Sequence, residues 1–107
     1  MKSTSITVNP DRLRRAAGRA VATLKVLGNE DRMLLLCQLA QGEMRVGALE
    51  DKLRIRQPTL SQQLRVLRDE GSVHTRREGR SIFYSVTDPV LLEILAVLYR
   101  HYCLKEK

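Results

Sequence analysis

The sequence has few cysteines, no long apolar run and a shortage of acidic residues. Its two cysteines stand 66 positions apart in a chain of 107 residues, a spacing that forms neither a disulfide framework nor a CxxC metal knuckle. No segment carries the apolar stretch of a signal peptide or a membrane span, and no internal repeat, low-complexity run or linker divides the chain. We therefore expect a single cytoplasmic domain over residues 1–107, with residues 1–8 flexible.

The shortage of acidic residues leaves a large positive charge. Nineteen lysines and arginines face twelve aspartates and glutamates, which gives a formal net charge of +7. A field of this sign on a small surface attracts polyanions, with nucleic acid first among them. The same excess also keeps a protein soluble without any such partner, so the positions of the arginines must decide between the two interpretations.

Two helices are predicted in the N-terminal part of the chain. Asn9-Pro10 offers a helix cap followed by proline in the first turn, where a missing N–H costs nothing, and Gly28 supplies the stop. Asn29 caps a second helix over about 30–41, which we expect to be buried on most sides because apolar residues surround it. The apolar residues are Leu13, Ala17, Ala20, Leu24 and Leu27 in the first helix and Met33, Leu34, Leu35, Leu36, Cys37 and Leu39 in the second.

A helix-turn-helix is predicted in the middle of the chain. A short third helix lies near 46–53, and Gln57-Pro58 starts a fourth helix over about 58–69. Two short helices joined by so few residues are typical of this motif. The inward-facing residues are Val46, Leu49 and Leu53 in the third helix and Leu60, Leu64 and Leu67 in the fourth.

A β-hairpin and a last helix complete the chain. In "SVHTRREGRSIFYSV", apolar and polar residues alternate about a Glu78-Gly79 turn, which is typical of a hairpin. Asp88-Pro89 then caps a helix that reaches about residue 104. Either a dimer partner covers the apolar faces of this helix and of the alanine-rich first helix, or the last helix threads a broad core. Its apolar residues are Leu91, Leu92, Ile94, Leu95, Val97, Leu98, Tyr99 and Tyr102.

This order of elements, mainly helical with one small hairpin, is that of a winged helix-turn-helix. The second helix of the motif enters the major groove of DNA, where glutamine can pair with adenine and arginine with guanine or a phosphate. The hairpin carries three arginines with no evident acidic partner and can lie along the phosphate backbone as a wing. Taken alone, the polar face of the fourth helix fits a solvated surface equally well. The candidate DNA-binding residues are Gln57, Thr59, Ser61, Gln62 and Arg65 on the helix and Arg76, Arg77 and Arg80 on the hairpin.

The middle of the sequence resembles a known family of regulators. "VLGNEDRMLLLCQLAQGE" followed by "VGALEDKLRIRQPTLSQQLRVLRDEGSVHTRREGRSIFYSV" looks like the ArsR/SmtB family of small winged-helix repressors, over about residues 12–104. The resemblance implies that the fourth helix is the recognition helix and that the first and last helices form a homodimer. It also implies that an inducer makes the dimer release its operator DNA.

The metal sites of that family are absent or incomplete in this sequence. The arsenic-type site needs a cysteine pair on the third helix, which reads "RVGALEDKL", and the lead/cadmium-type site needs a cysteine within residues 1–28, which have none. Asp88 and His101 match two positions of the zinc-type site, but Val90 and Leu104 occupy the other two. Two ligands leave zinc hydrated and weakly held. We therefore expect no metal site, and a metal-responsive repressor using Asp88 and His101 stays an alternative.

Cys37 and Cys103 are similar in placement to the cysteine pair of the BigR- and SqrR-like branch of the family. This resemblance implies that a disulfide or inserted sulfur atoms join the two thiols in response to reactive sulfur species or oxidants. The repressor then loses operator affinity, and its target genes concern sulfide oxidation. Burial among leucines should raise the pKa of Cys37, whereas the charges of Arg100, His101 and Lys105 favour the thiolate of Cys103. We therefore expect Cys103 to react first and Cys37 to resolve.

Two other interpretations of the cysteines stay open. They are either unrelated thiols in a reducing cytoplasm, which is the usual state of free cysteine, or part of a thiol enzyme with Cys103 as nucleophile. Against an enzyme, the sequence shows no His/Asp orienting pair, no cofactor loop and no CxxC motif. We expect no catalytic residue and no cofactor.

Overall fold

The computed structural model describes residues 7–104, in which helices surround a core and a small antiparallel sheet lies at one edge. The prediction that residues 1–8 are flexible falls mostly outside this range, as does Lys105. The helices are α1 (Pro10–Leu27), α2 (Glu30–Leu39), α3 (Val46–Leu53), α4 (Thr59–Asp69) and α5 (Pro89–Leu98), and α5 continues into a π-helical turn, Tyr99–Cys103. The strands are β1 (Met44–Arg45), β2 (His74–Glu78) and β3 (Ser81–Ser85). No helix within residues 7–104 is both long and apolar enough to cross a bilayer.

Side-chain caps begin three of these helices, as the sequence predicts. The side-chain oxygen of Asn9 accepts first-turn backbone N–H groups of α1 at 2.9 and 3.1 Å. Asn29 does the same for α2 at 3.0 Å, and Asp88 for α5 at 2.9 Å. Each cap satisfies donors that the first turn of a helix leaves unpaired, and losing one typically costs about 1 kcal/mol.

The three strands form one sheet in the order β1-β3-β2, with both pairs antiparallel. β2 and β3 are the predicted hairpin, but its turn lies at Gly79 and Arg80, one residue later than expected. Gly79 has φ +63°, which glycine adopts without steric strain. β1 is an addition to the predicted order of elements, because two residues are too few for an alternating pattern to reveal. It runs directly into α3.

The core is built mainly from leucines of α2, α3, α4 and α5. Complete burial of one such side chain stabilises the fold by about 1.5–3 kcal/mol. α2 is buried or half-buried along most of its length, as expected, and only its first residue, Glu30, and Leu34, which is 40% exposed, face solvent. α2 packs against α1, α3 and α4, and Cys37 lines a pocket with residues of α5. The buried leucines are Leu27, Leu35, Leu36, Leu39, Leu49, Leu60, Leu64, Leu67, Leu91 and Leu95.

Apolar side chains of α1 and of the last helical segment lie at the surface of the chain. In α1 the side chains of Leu13, Val21 and Leu24 are 54%, 47% and 58% exposed. Apolar side chains of the last helical segment are exposed as well, so the core does not enclose the last helix. This removes the interpretation that α5 threads a broad core. Exposed apolar patches of this kind mark interaction surfaces. The exposed apolar residues of the last segment are Val90, Val97, Tyr99, Tyr102 and Leu104.

Candidate functional site

The helix-turn-helix presents one face of α4 to solvent. Leu60, Leu64 and Leu67 anchor the opposite face in the core, and the turn that leads to α4 starts at Arg54, whose φ is +59°. The structure brings the predicted helix residues together on this surface, with Thr59 half-buried and the others exposed. The predicted helix residues are Gln57, Thr59, Ser61, Gln62 and Arg65.

A local hydrogen-bond pair orders the start of α4. The side-chain oxygen of Gln57 accepts the hydroxyl of Ser61 at 2.6 Å and the backbone N–H of Ser61 at 3.2 Å. Gln57 therefore caps α4 from outside the helix. Its amide NH₂ stays available as a donor, and Ser61, whose hydrogen is engaged, presents its oxygen as an acceptor. The pair thus offers both donor and acceptor groups to a base edge.

Arg76 of the hairpin is already engaged by an acidic residue. Its guanidinium donates to both carboxylate oxygens of Glu43, from Nε at 3.0 and 2.9 Å, and lies 3.6 Å from Glu78. It also stacks 4.6 Å from the ring centroid of Phe83. The expectation that no acidic partner faces the hairpin arginines is therefore wrong for Arg76. The hydrogen bond from Arg76 lowers the pKa of Glu43 below its usual value.

The other two hairpin arginines are differently placed. Arg77 pairs with Ile82 across the hairpin, and Arg80 lies in the turn. Both are exposed, and neither forms an ion pair with another residue in the range 7–104. The wing therefore carries two free cations and one that is paired.

Arg32 joins three elements, although no motif in the sequence marks it. Its guanidinium donates to the carbonyls of Val26 at 2.8 Å and Lys25 at 3.0 Å, at the end of α1, and to the side chain of Gln63 in α4 at 3.1 Å. The only sign of this role in the sequence is the position of Arg32 just beyond the end of α1, where a cation interacts favourably with the negative end of the helix dipole. Arg32 fixes the end of α1 against the recognition helix.

The two cysteines lie at one pocket despite their separation in the sequence. Both are free thiols, Cys37 half-buried and Cys103 exposed. They line the same apolar pocket of about 290 Å³, together with Met33, Tyr99 and Tyr102. Burial raises the pKa of the Cys37 thiol, and the nearby Cys103 raises it further. The prediction that burial raises the pKa of Cys37 is thereby confirmed.

Asp88 and His101 lie far apart in the chain fold. Asp88 caps α5 through the N–H of Val90, whereas His101 is exposed on the π-helical turn. Thirteen residues of helix separate them by about 20 Å, so one protomer cannot bring both to one ion. Among residues 7–104, no cluster of three or more His, Cys, Asp or Glu side chains has the arrangement of a metal site.

Comparison with known proteins identifies relatives along most of the chain. Residues 29–75 match the family described as "Bacterial regulatory protein, arsR family". The biofilm growth-associated repressor of Agrobacterium fabrum is 46% identical over 95 residues, which cover 89% of this chain and 81% of that protein. The transcriptional activator HlyU of Vibrio cholerae is 35% identical, with 90% of this chain and 89% of that protein covered.

A solved structure shows the same fold. The transcriptional repressor BigR from Xylella fastidiosa superposes with a TM-score of 0.81 at 40% identity, covering 90% of this chain and 98% of that one. The relatives are transcriptional regulators, and the winged helix-turn-helix predicted from the sequence is confirmed. The chain therefore belongs to the arsR family of bacterial regulatory proteins and is a DNA-binding transcriptional regulator, not an enzyme.

Proposed function

We propose that the protein is a homodimeric repressor that binds operator DNA while Cys37 and Cys103 are thiols. It releases the operator when a disulfide or polysulfide bridge joins them in response to reactive sulfur species or oxidants. The genes under its control act in sulfide detoxification. The observation that carries this proposal is the pocket that the two thiols share, although 66 positions separate them in the sequence.

The environments of the two thiols support an order of reaction. Cys103 is exposed and meets the reagent first, whereas the raised pKa of half-buried Cys37 keeps it a thiol until a partner sulfur is adjacent. With an organic trisulfide RSSSR, the Cys103 thiolate attacks the central sulfur and expels RS⁻, which leaves Cys103 Sγ bonded to –S–SR. Cys37 then attacks the sulfur bound to Cys103 Sγ and expels the second RS⁻. The products are one Cys37–S–S–S–Cys103 bridge and two RSH, so the two thiols are oxidised and the trisulfide is reduced.

An oxidant produces a disulfide by a related route. A hydroperoxide ROOH oxidises Cys103 to a sulfenic acid and leaves as ROH. The Cys37 thiol then displaces water from that sulfur and forms the disulfide. A direct disulfide brings the two Cα atoms to about 4.4–6.8 Å, whereas an inserted sulfur spans a wider gap. The two bridges therefore impose different movements on the same pair of elements.

The apolar surfaces of α1 and α5 support a dimer. Leu13, Val21 and Leu24 form a row along α1 that stays exposed among residues 7–104, and a second copy of the same surface would bury it in a two-fold interface. α5 also carries exposed apolar side chains, Val90 and Val97. The last helical segment would then belong both to the thiol pair and to the dimer interface.

A bridge at the thiol pocket would couple to DNA through this geometry. It would tie the π-helical turn that follows α5 to α2, and α2 packs against the recognition helix α4. The two recognition helices of a dimer must stand about 34 Å apart to enter successive major grooves. A change in the angle between α5 and α2 would alter this spacing and lower operator affinity.

The proposed contacts with DNA divide into two groups. On α4, the Gln57 and Ser61 pair and the side chains of Thr59, Gln62 and Arg65 meet base edges and phosphates. On the hairpin, the arginines follow the sugar-phosphate backbone and supply affinity without sequence information. The candidate hairpin residues are Arg76, Arg77 and Arg80; Arg77 and Arg80 are free of ion pairs within residues 7–104, whereas Arg76 is held by Glu43 and would reach a phosphate only after leaving it.

An operator selected from a random duplex library with the reduced protein provides the test. Treatment with an organic trisulfide or with diamide should abolish the mobility shift of that operator. The intact mass should fall by about 2 Da for a disulfide or rise by about 30 Da for a bridge with one inserted sulfur. The variants Cys37→Ser and Cys103→Ser should still bind and shift the operator after the same treatment. Retained binding by bridged protein, or full release by Cys37→Ser, would contradict the switch.

A further inference from the structure

We infer that Glu43 holds Arg76 on the outer face of the wing, so that Arg77 and Arg80 alone supply the wing's phosphate contacts. Glu43 thereby limits the affinity of the protein for DNA and its dependence on salt. The inference rests on the proposed contact between the wing and the DNA backbone, and it assigns that contact to particular arginines. It also makes Glu43 a residue that tunes DNA binding without touching the DNA.

Three neighbours hold Arg76 in its present position. The carboxylate of Glu43 receives hydrogen bonds through both of its oxygens, in the forked geometry that fits a guanidinium best. The ring of Phe83 lies beneath the guanidinium at 4.6 Å, and Glu78 lies 3.6 Å from a second nitrogen. A phosphate approaching this group would meet two carboxylates before it met an unpaired N–H.

The strand register puts Arg76 and Arg77 on opposite faces of the hairpin. Arg76 pairs with Phe83, and Arg77 pairs with Ile82. Since side chains alternate along a strand, Arg77 shares its face with Ile82 and Tyr84, and Tyr84 lines one groove with Arg65 of α4. Arg77 thus lies on the face of the sheet that adjoins the recognition helix, and Arg76 lies on the face turned away.

Glu43 reaches the wing because β1 anchors it beside the central strand. It immediately precedes Met44, which pairs with Tyr84 of β3, so its side chain crosses β3 to reach Arg76 on β2. The pair links positions 33 residues apart in the chain. Removing the carboxylate would leave the guanidinium with the ring of Phe83 and the more distant Glu78. Arg76 would then be free to turn toward a phosphate.

Salt dependence of DNA binding distinguishes a phosphate contact from a nearby charge. The slope of log K against log salt steepens by about 0.9 for each phosphate that a cation neutralises. The probe is a labelled duplex of mixed sequence, titrated by fluorescence anisotropy between about 0.05 and 0.3 M salt. For each wing that contacts the duplex, Glu43→Gln should steepen the slope by about 0.9 and raise the affinity roughly eightfold at about 0.1 M salt.

Four further variants assign the effect. Arg76→Ala should leave the slope of the wild type unchanged, and Glu43→Gln with Arg76→Ala should not show the steeper slope of Glu43→Gln alone. Arg77→Ala should make the slope shallower by about 0.9 per wing. Glu70→Gln removes the same charge from an exposed residue at the end of α4 that forms no ion pair within residues 7–104, and it should not change the slope.

The outcomes separate this inference from the proposed function. An unchanged slope in Glu43→Gln, with a shallower slope in Arg77→Ala, would overturn the inference and leave the wing contact standing. A shallower slope in Arg76→Ala would overturn it as well, because Arg76 would then already contact phosphate. If neither Arg77→Ala nor Arg80→Ala changes the slope, the proposed wing contact itself is wrong and the inference falls with it.

Discussion

Replacing Arg32 with alanine should destabilise the protein more than any other substitution of a partly exposed charged residue. The change removes two hydrogen bonds to the last carbonyls of α1, at 2.8 and 3.0 Å, and one to Gln63, at 3.1 Å. Two of these hydrogen bonds are half-buried and contribute about 1 kcal/mol each, whereas the bond to Lys25 is exposed and contributes less. The free energy of unfolding should therefore fall by about 2–3 kcal/mol.

Two matched variants divide this loss among the three bonds. Gln63→Ala removes only the bond to α4 and should cost about 1 kcal/mol. Arg32→Lys keeps the charge but replaces the planar guanidinium with a single ammonium, which cannot bind both carbonyls and the Gln63 amide at once. Its loss of unfolding free energy should therefore lie between those of Gln63→Ala and Arg32→Ala.

Urea denaturation followed by circular dichroism measures these differences, at one fixed protein concentration because the proposed dimer would add to the apparent stability. The melting temperature of Arg32→Ala should fall on the order of 10 °C. A loss below about 0.5 kcal/mol, the usual scatter of neutral surface changes, would refute the assignment of Arg32 as a tie between α1 and α4. Equal losses of unfolding free energy in Gln63→Ala and Arg32→Ala would show that the hydrogen bonds to the α1 carbonyls do not contribute to stability.

Two further predictions concern the thiols and the dimer. Iodoacetamide should label Cys103 before Cys37 at about pH 8, because the raised pKa of Cys37 leaves less of it as thiolate. Raising the pH should reduce the difference between the two labelling rates. Faster labelling of Cys37 in peptide mass spectra would contradict this order. Leu24→Glu should weaken dimerisation at least about a hundredfold in sedimentation velocity, since burying an unpaired charge costs several kcal/mol. Arg15→Glu, a control on α1, should sediment as the wild type does, and a dimeric Leu24→Glu would exclude α1 from the interface.

Local signals predicted the helices well. The bounds of α3 are those expected from its apolar spacing, and Asn9, Asn29 and Asp88 cap the helices that they were expected to begin. Such signals act over three or four residues, so the sequence displays them directly. The winged helix-turn-helix follows from their order, because few arrangements of five short helices and one hairpin are compatible with it.

Contacts between distant segments were not predictable in the same way. The partner of Arg76 lies 33 residues away, and two of the three acceptors of Arg32 are backbone carbonyls that carry no side-chain signal. The exposure of Leu34 was not predictable because periodicity reports which residues are apolar but not how many neighbours the fold supplies. That Cys37 and Cys103 lie at one pocket was expected only from the family resemblance, since nothing in the residues alone connects them.

The short strand β1 has a mechanical consequence for release from DNA. Met44 and Arg45 pair with the wing and continue without a break into the first helix of the helix-turn-helix. β1 therefore joins the wing to α3, and we expect the wing and the helix-turn-helix to move together. If the proposed dimer changes shape, backbone and base contacts should then be lost together, so dissociation after oxidation should follow a single exponential in a stopped-flow trace.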